Sequence, residues 1–258
     1  MEHADRRTAL GVPDRRDRTV LPADVRCRVE VDDSSGVVRL TGVLDRPGAG
    51  VVRDALLARL ADRPGPVVVD LTGLRVTEPA AGAVFAEVRG AVVQWPAADL
   101  LVCDPSGTVT GLPTWPTLDG ALAALALAPM AAVLTADLPP EVDAARQARE
   151  LVTDGCRRWG VATLAEPACI AVTEMVNNVV AHARTPMTVR LAPRDSSLHL
   201  AVRDHSDRQP AFRGRAPIDS AGGRGLLLID TVTRLWGSTP LPDGKVVWCV
   251  LHTADEAS

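Results

Sequence analysis

From residue 26 onward the hydrophobic positions fall into short blocks of two different periods. Residues 26–31 and 37–44 alternate apolar and polar side chains, the signature of half-buried strands, and the turn Asp33-Ser34-Ser35-Gly36 joins them. Residues 51–61 then carry apolar side chains at helical spacing. Residues 67–71 form a short continuous apolar run stopped by Thr72-Gly73, as expected of a strand buried on both faces. A helix over about 79–93, a strand over 100–103 and a helix over 118–127 follow, and this alternation predicts a mixed α/β layer. Prolines at 129, 139 and 140 interrupt the pattern, so a second unit is expected to begin near Met130. Its first helix, about 141–159, carries Val142, Ala145, Ala148, Leu151 and Val152 as a core-facing stripe. A helix over 168–183, a strand over 198–204, glycines leading into a helix that reaches Ile229, and a short strand, turn and closing strand over 235–237 and 243–251 complete the reading. Trp236 and Trp248 are expected to pack against the sheet. No internal repeat is visible.

Length and charge narrow the classes of function. At 258 residues the chain suits about two domains of ordinary size. With 47% hydrophobic residues, 23% charged residues and a net charge of −4, it reads as a soluble globular protein without the basic excess that nucleic acids demand. The most apolar stretch, 120–134, is broken by Pro129 and is shorter than the ~20 residues of a membrane helix. The first 19 residues hold five arginines against four acids and no apolar core, so residues 1–24 read as a disordered charged arm and not as a signal peptide. The five cysteines have neither zinc-ligand nor disulfide-framework spacing, which fits free thiols in a reducing cytoplasm.

The candidate chemistry lies in the second half. Glu174, Asn178 and His182 recur every four residues and share one face of an otherwise apolar helix. Singly, a solvated Glu174 or an Asn178 that caps a neighbouring loop would explain either residue; three polar groups on one face ask for a ligand. Asp204 ends the strand over 198–204 and precedes His205, Ser206 and Asp207, where an aspartate also commonly starts a turn. Lys245 is the only lysine in the chain and, sitting in a turn, is expected to be solvated, as are Arg213 and Arg215 in the loop before the glycines.

Two families resemble these segments. Residues 67–74, the helix that follows and residues 116–125 resemble the STAS domain of anti-sigma-factor antagonists, over about 25–128. The resemblance implies a mixed sheet flanked by helices, with the loop and helix start after residues 67–71 as the partner-binding surface. Antagonists carry there the serine that their kinase phosphorylates, but this chain reads Thr77-Glu78-Pro79-Ala80-Ala81-Gly82. The phosphoacceptor is lost, and Thr77 is the nearest hydroxyl. Glu78 and Pro79 also suit an ordinary helix start.

The run Glu174-x-x-x-Asn178-x-x-x-His182-Ala183 looks like the N-box of GHKL ATPases and kinases, which implies a Bergerat-fold α/β sandwich over 129–253, with 254–258 as a tail. That resemblance implies ATP and Mg²⁺ as cofactors. Asn178 would give its side-chain oxygen to the metal, with Asn177 one residue off that face, and Glu174 would act as general base. His182 would pack or hydrogen-bond near the helix end. Asp204 would accept from the adenine amine, and Gly223, Arg224 and Gly225 would receive the phosphates. Ser206 stands where the family's first glycine is expected, a departure from the pattern. The implied function is an ATP-binding regulator of the anti-sigma-factor serine/threonine kinase type, acting in partner-switching control of transcription on a separate STAS antagonist or a sigma factor. The alternative is a nucleotide-binding adaptor without catalysis. A third reading has the STAS half docking on its own ATPase half as a pseudo-substrate. Homodimerisation is expected by analogy.

Overall fold

The computed structural model describes residues 26–32, 35–127, 132–208 and 224–252. The charged arm, Asp33 and Ser34, the boundary near Met130, Arg213, Arg215 and Gly223 lie outside the described residues. Two five-stranded sheets organise the rest, each with its own helices.

The first sheet holds β1 (Cys27–Asp32), β2 (Val37–Leu44), β3 (Val67–Val76), β4 (Leu100–Cys103) and β5 (Thr114–Trp115) in chain order. The β1–β2 pair is antiparallel and the remaining pairs are parallel. Val67, Val69 and Leu71 point from β3 into the core beneath α1 (Arg46–Asp62), α2 (Pro79–Gly82) and α3 (Val84–Val92). Val68 points the other way, toward α4 (Leu118–Leu127). This is the mixed layer expected from the alternation of strand and helix patterns. Three boundaries differ. The first helix begins at Arg46 and not near 51, because the Asp45 carboxylate accepts from the Gly48 N–H at 2.9 Å and a proline is at home in the first turn. Strand β3 runs on through Thr72-Gly73 to Val76, because Gly73 lacks the Cβ that would come within 2.9 Å of Thr41 on β2. The helix expected over 79–93 is divided at Ala83.

The second sheet is antiparallel, in the order β6 (Leu134–Leu138), β7 (Met187–Arg194), β8 (Ser197–Asp204), β10 (Gly244–His252), β9 (Leu235–Leu241). Helices α5 (Ala144–Arg158), α6 (Ala165–Asn178) and α7 (Arg224–Val232) pack on one face of it. Val142 does not join the expected stripe; it precedes α5 and is 94% exposed. Strand parity assigns the two faces. Leu198, Leu200 and Val202 face the helices, whereas Ala201 and Val246 join the core of the first unit.

The two units therefore meet across the open face of the second sheet. Arg190 donates to the carbonyls of Ala61 and Asp62 at the end of α1, both at 2.6 Å, and Arg194 donates to the Val93 carbonyl at the end of α3, at 2.9 Å. Each guanidinium meets the partially negative end of a helix whose last carbonyls lack intrahelical partners. Arg203 pairs with Asp62 across the interface and with Asp243 at 2.9 Å, and His199 donates from Nδ1 to the Gln94 carbonyl at 2.9 Å.

Candidate functional site

Helix α6 presses Ala168, Ala171, Val172, Met175 and Val176 into the core. Glu174 and Asn178, one turn apart, fall at the edge of that stripe and are half-buried. Neither side chain has a hydrogen-bond partner among the described residues. Both are open to water, which satisfies them in the free chain and leaves them available to a ligand. Directly after Asn178 the helix widens into a π turn over Val179–Ala183, which ends at Arg184 in the left-handed region (φ 56°) with its N–H bonded to the Val179 carbonyl at 2.7 Å. Such turns concentrate at functional sites. His182 is exposed and is not packed as expected, and Asn177 is exposed as well.

Asp204 ends β8 on the same sheet face as α6, by the parity that points Leu198, Leu200 and Val202 there. It is 1% exposed, and its partner corrects the expectation for Lys245. Lys245 is not solvated: it is 5% exposed, lies opposite Asp204 in the β8–β10 register, donates to Asp204 Oδ1 at 2.9 Å and is ion-paired with Oδ2 at 2.9 Å. Its ammonium also reaches the Ser206 carbonyl at 3.2 Å, while the Ser206 N–H donates to Asp204 Oδ1 at 2.8 Å. Ser206, in the expected glycine position, thus closes a tight turn on Asp204. Gly244 makes the pairing possible: with φ at +152°, a Cβ there would lie 2.0 Å from the Asp204 carbonyl oxygen. The sequence signal for Lys245 was its uniqueness together with its even spacing from Val247, Cys249 and Leu251, which face the helices.

The last expected element is α7, which begins at Arg224, so Gly225 falls in its first turn. Ile229 packs α7 into the core under α6. The structure thus gathers α6, the end of β8 and α7 on one face of one sheet. Among the described residues no cluster of three or more His, Cys, Asp or Glu could hold a metal unaided. Asn178 alone suits Mg²⁺ bound mainly through phosphates and water, the usual way this ion sits in nucleotide sites.

The sheet covered on one face by helices forms an α/β sandwich, and the half-buried Glu174/Asn178 pair lies on one of those helices. Residues 138–250 match the family model described as histidine kinase-like ATPase domain, and residues 27–94 match the family model described as Mlab, STAS domain. Residues 27–94 are thus STAS-like and residues 138–250 are like a histidine kinase ATPase domain, a pairing that supports a regulatory ATPase or kinase, and ATP is the ligand that such a domain implies. No match is found among curated proteins. Similar solved structures include the RsbU and RsbW domains of a Mycobacterium tuberculosis protein (17% identity, 47% of this chain and 32% of that chain, TM-score 0.37). An anti-sigma factor antagonist from Mycobacterium paratuberculosis is another (24% identity, 41% of this chain and 99% of that chain, TM-score 0.33). A third is the histidine kinase domain of a blue-light activated histidine kinase from Erythrobacter litoralis (14% identity, 78% and 93%, TM-score 0.28). The chain thus spans about a third of the first of these. Among the described residues no helix is long and apolar enough to cross a membrane.

Proposed function

We propose that residues 129–253 bind Mg-ATP and transfer its terminal phosphoryl group to a serine on a separate STAS-type antagonist, with residues 25–128 as a STAS domain that no longer accepts phosphate. The observation that carries this reading is the Glu174/Asn178 pair on α6, half-buried and without partners among the described residues, on the sheet face where Asp204 lies. Asn178 would hold the metal through its side-chain oxygen, and Asp204 would accept from the base. The N-terminal turn of α7, with Arg224 and Gly225, and the preceding Gly223 would receive the phosphates. Glu174, one turn from Asn178, would take the proton from the attacking hydroxyl. The acceptor is expected in trans. The turn over residues 77–82 starts α2, whereas the STAS unit docks on the second sheet through the far ends of α1 and α3, on the face opposite α6.

A second reading, an adaptor in which nucleotide only sets the shape that grips a sigma factor or antagonist, is favoured by one feature. Asp204 is already engaged by Lys245 and by the Ser206 N–H. Calorimetry with Mg-ATP on the intact chain and on Asn178→Ala tests the nucleotide site, and about tenfold or more weaker binding by the variant is expected. Labelled-phosphate transfer to a panel of STAS antagonists separates kinase from adaptor: binding without transfer to any member supports the adaptor. No binding by the intact chain sinks both.

A further inference from the structure

The seam between the two units holds a cavity faced by buried N–H groups that nothing satisfies. On the outer face of the second sheet Arg190 lies opposite Ala201, and Arg203 lies opposite Thr188 and Val246. Ala201 is too small to fill the space beside the two guanidinium groups, and Leu60 and Trp95 of the STAS unit line it from the other side, leaving about 20 Å³. Trp95 Nε1, Arg190 Nε and Arg203 Nε are shielded from solvent and have no hydrogen-bond partner among the described residues. The arginines cannot turn to find one. Their terminal nitrogens are held by the Ala61 and Asp62 carbonyls for Arg190, and by the Asp62 and Asp243 carboxylates for Arg203. Thr188, the remaining polar side chain that lines the cavity, gives its hydroxyl proton to Asp137 at 2.7 Å. Leaving buried donors unmade is costly, and a native fold ordinarily supplies them with an acceptor. Arg190 also lacks a counter-charge, because it forms no ion pair with a carboxylate among the described residues. Burial pushes its pKa below the ordinary value, with Asp137 as the charge that opposes the shift.

We propose that this cavity binds one halide-sized monovalent anion, such as chloride, through Trp95 Nε1, Arg190 Nε and Arg203 Nε. A water molecule accepts two hydrogen bonds and has two protons of its own to place, so it would leave one of the three N–H groups unmade. A spherical anion accepts from all three and supplies the charge that Arg190 lacks. A space of about 20 Å³ suits a species near the size of a single water, which excludes phosphate and sulfate. Trp95 belongs to one unit and the two arginines to the other, so the site is complete only when the units are docked. The anion therefore stabilises the docked state by mass action. The site lies across the sheet from α6 and does not depend on the nucleotide reading.

Thermal unfolding of the full-length chain tests the site, with sodium gluconate exchanged stepwise for sodium chloride at fixed ionic strength, since gluconate is too large to enter. Trp95→Phe removes the indole N–H and keeps most of the packing. Trp248→Phe is its control, because Trp248 Nε1 is also buried without a partner but Trp248 does not line the cavity. The midpoint is expected to rise saturably with chloride in the wild type and in Trp248→Phe, whereas Trp95→Phe needs about tenfold or more chloride for half the effect. A midpoint indifferent to chloride, or one that responds alike in all three chains, overturns the proposal. Wild-type crystals grown in sodium bromide give a second measurement that decides even if Trp95→Phe fails to fold. An anomalous peak among Trp95, Arg190 and Arg203 is expected; water alone in the cavity, or bromide only elsewhere, overturns the site.

Discussion

Single side chains decide the chemistry and much of the packing here. Glu174→Gln keeps the size and polarity of the residue but removes the base, so folding and Mg-ATP affinity should be retained while phosphoryl transfer falls by about 10²- to 10⁴-fold in a labelled-phosphate assay. Lys245→Met leaves the Asp204 carboxylate buried without its counter-charge, and denaturant unfolding should show a loss of about 3–5 kcal/mol. Gly237 lies opposite Trp248 in the β9–β10 register, and a Cβ there would come within 2.5 Å of the indole. Gly237→Ala is expected to lower stability by about 1–3 kcal/mol, measured as a shift in denaturation midpoint. Glu174 and Asn178 were legible because i, i+4 spacing in an apolar helix needs only the helical period. Lys245 was misread as solvated, because a lysine after Asp243-Gly244 looks like a turn residue until the register sets it against Asp204.

At the scale of elements, periodicity located most of the strands and helices, and local chemistry moved their ends. The strands over 37–44 and 100–103 and the helix over 118–127 match their expected limits. Helix α1 starts earlier than its apolar period because Asp45 and Pro47 form its first turn; Asp45→Ala should cost about 0.5–2 kcal/mol in thermal or denaturant unfolding. Strands β6 and β7 escaped the reading. On β7 Met187, Val189 and Leu191 alternate with Thr188 and Arg190 as in any half-buried strand, but the polar face meets the other unit and not solvent. The π turn after Asn178 could not be read either, because one extra residue per turn leaves no mark in composition.

At the scale of the whole molecule, the STAS unit is seated on the ATPase sheet by cations at the ends of its helices, with His199 buried among them. Burial pushes the His199 imidazole below its ordinary 6.5, and Arg194 and His252 push the same way; the Gln94 carbonyl and Asp195 oppose without reversing it. The folded, docked state therefore favours neutral histidine. Its contribution is complete above the unfolded value and is lost as pH falls below 6.5 through the lowered folded value. Lowering pH from about 7.5 to about 5.5 should reduce the denaturation midpoint of the wild type more than that of His199→Gln. Asp62→Ala removes the partner of Arg203 across the interface, and small-angle scattering should then show a larger radius of gyration with each unit still folded. An unchanged radius would mean that the apolar contact around Ala201 and Val246 suffices to hold the units together.

The amino-acid sequence by itself determined that there are two α/β units, that residues 78–82 carry no hydroxyl side chain, and which polar residues share one helix face or end one strand. Those properties follow from periodicity and residue type, which are local. Only the tertiary structure decided that Asp204 is bound to the single lysine, that His182 is exposed within a π turn, and that the outer face of the second sheet is covered by the STAS unit. These depend on register and on contacts between distant residues, such as Arg203 and Asp62, 141 positions apart, and no local pattern encodes which distant partner a charged side chain will meet.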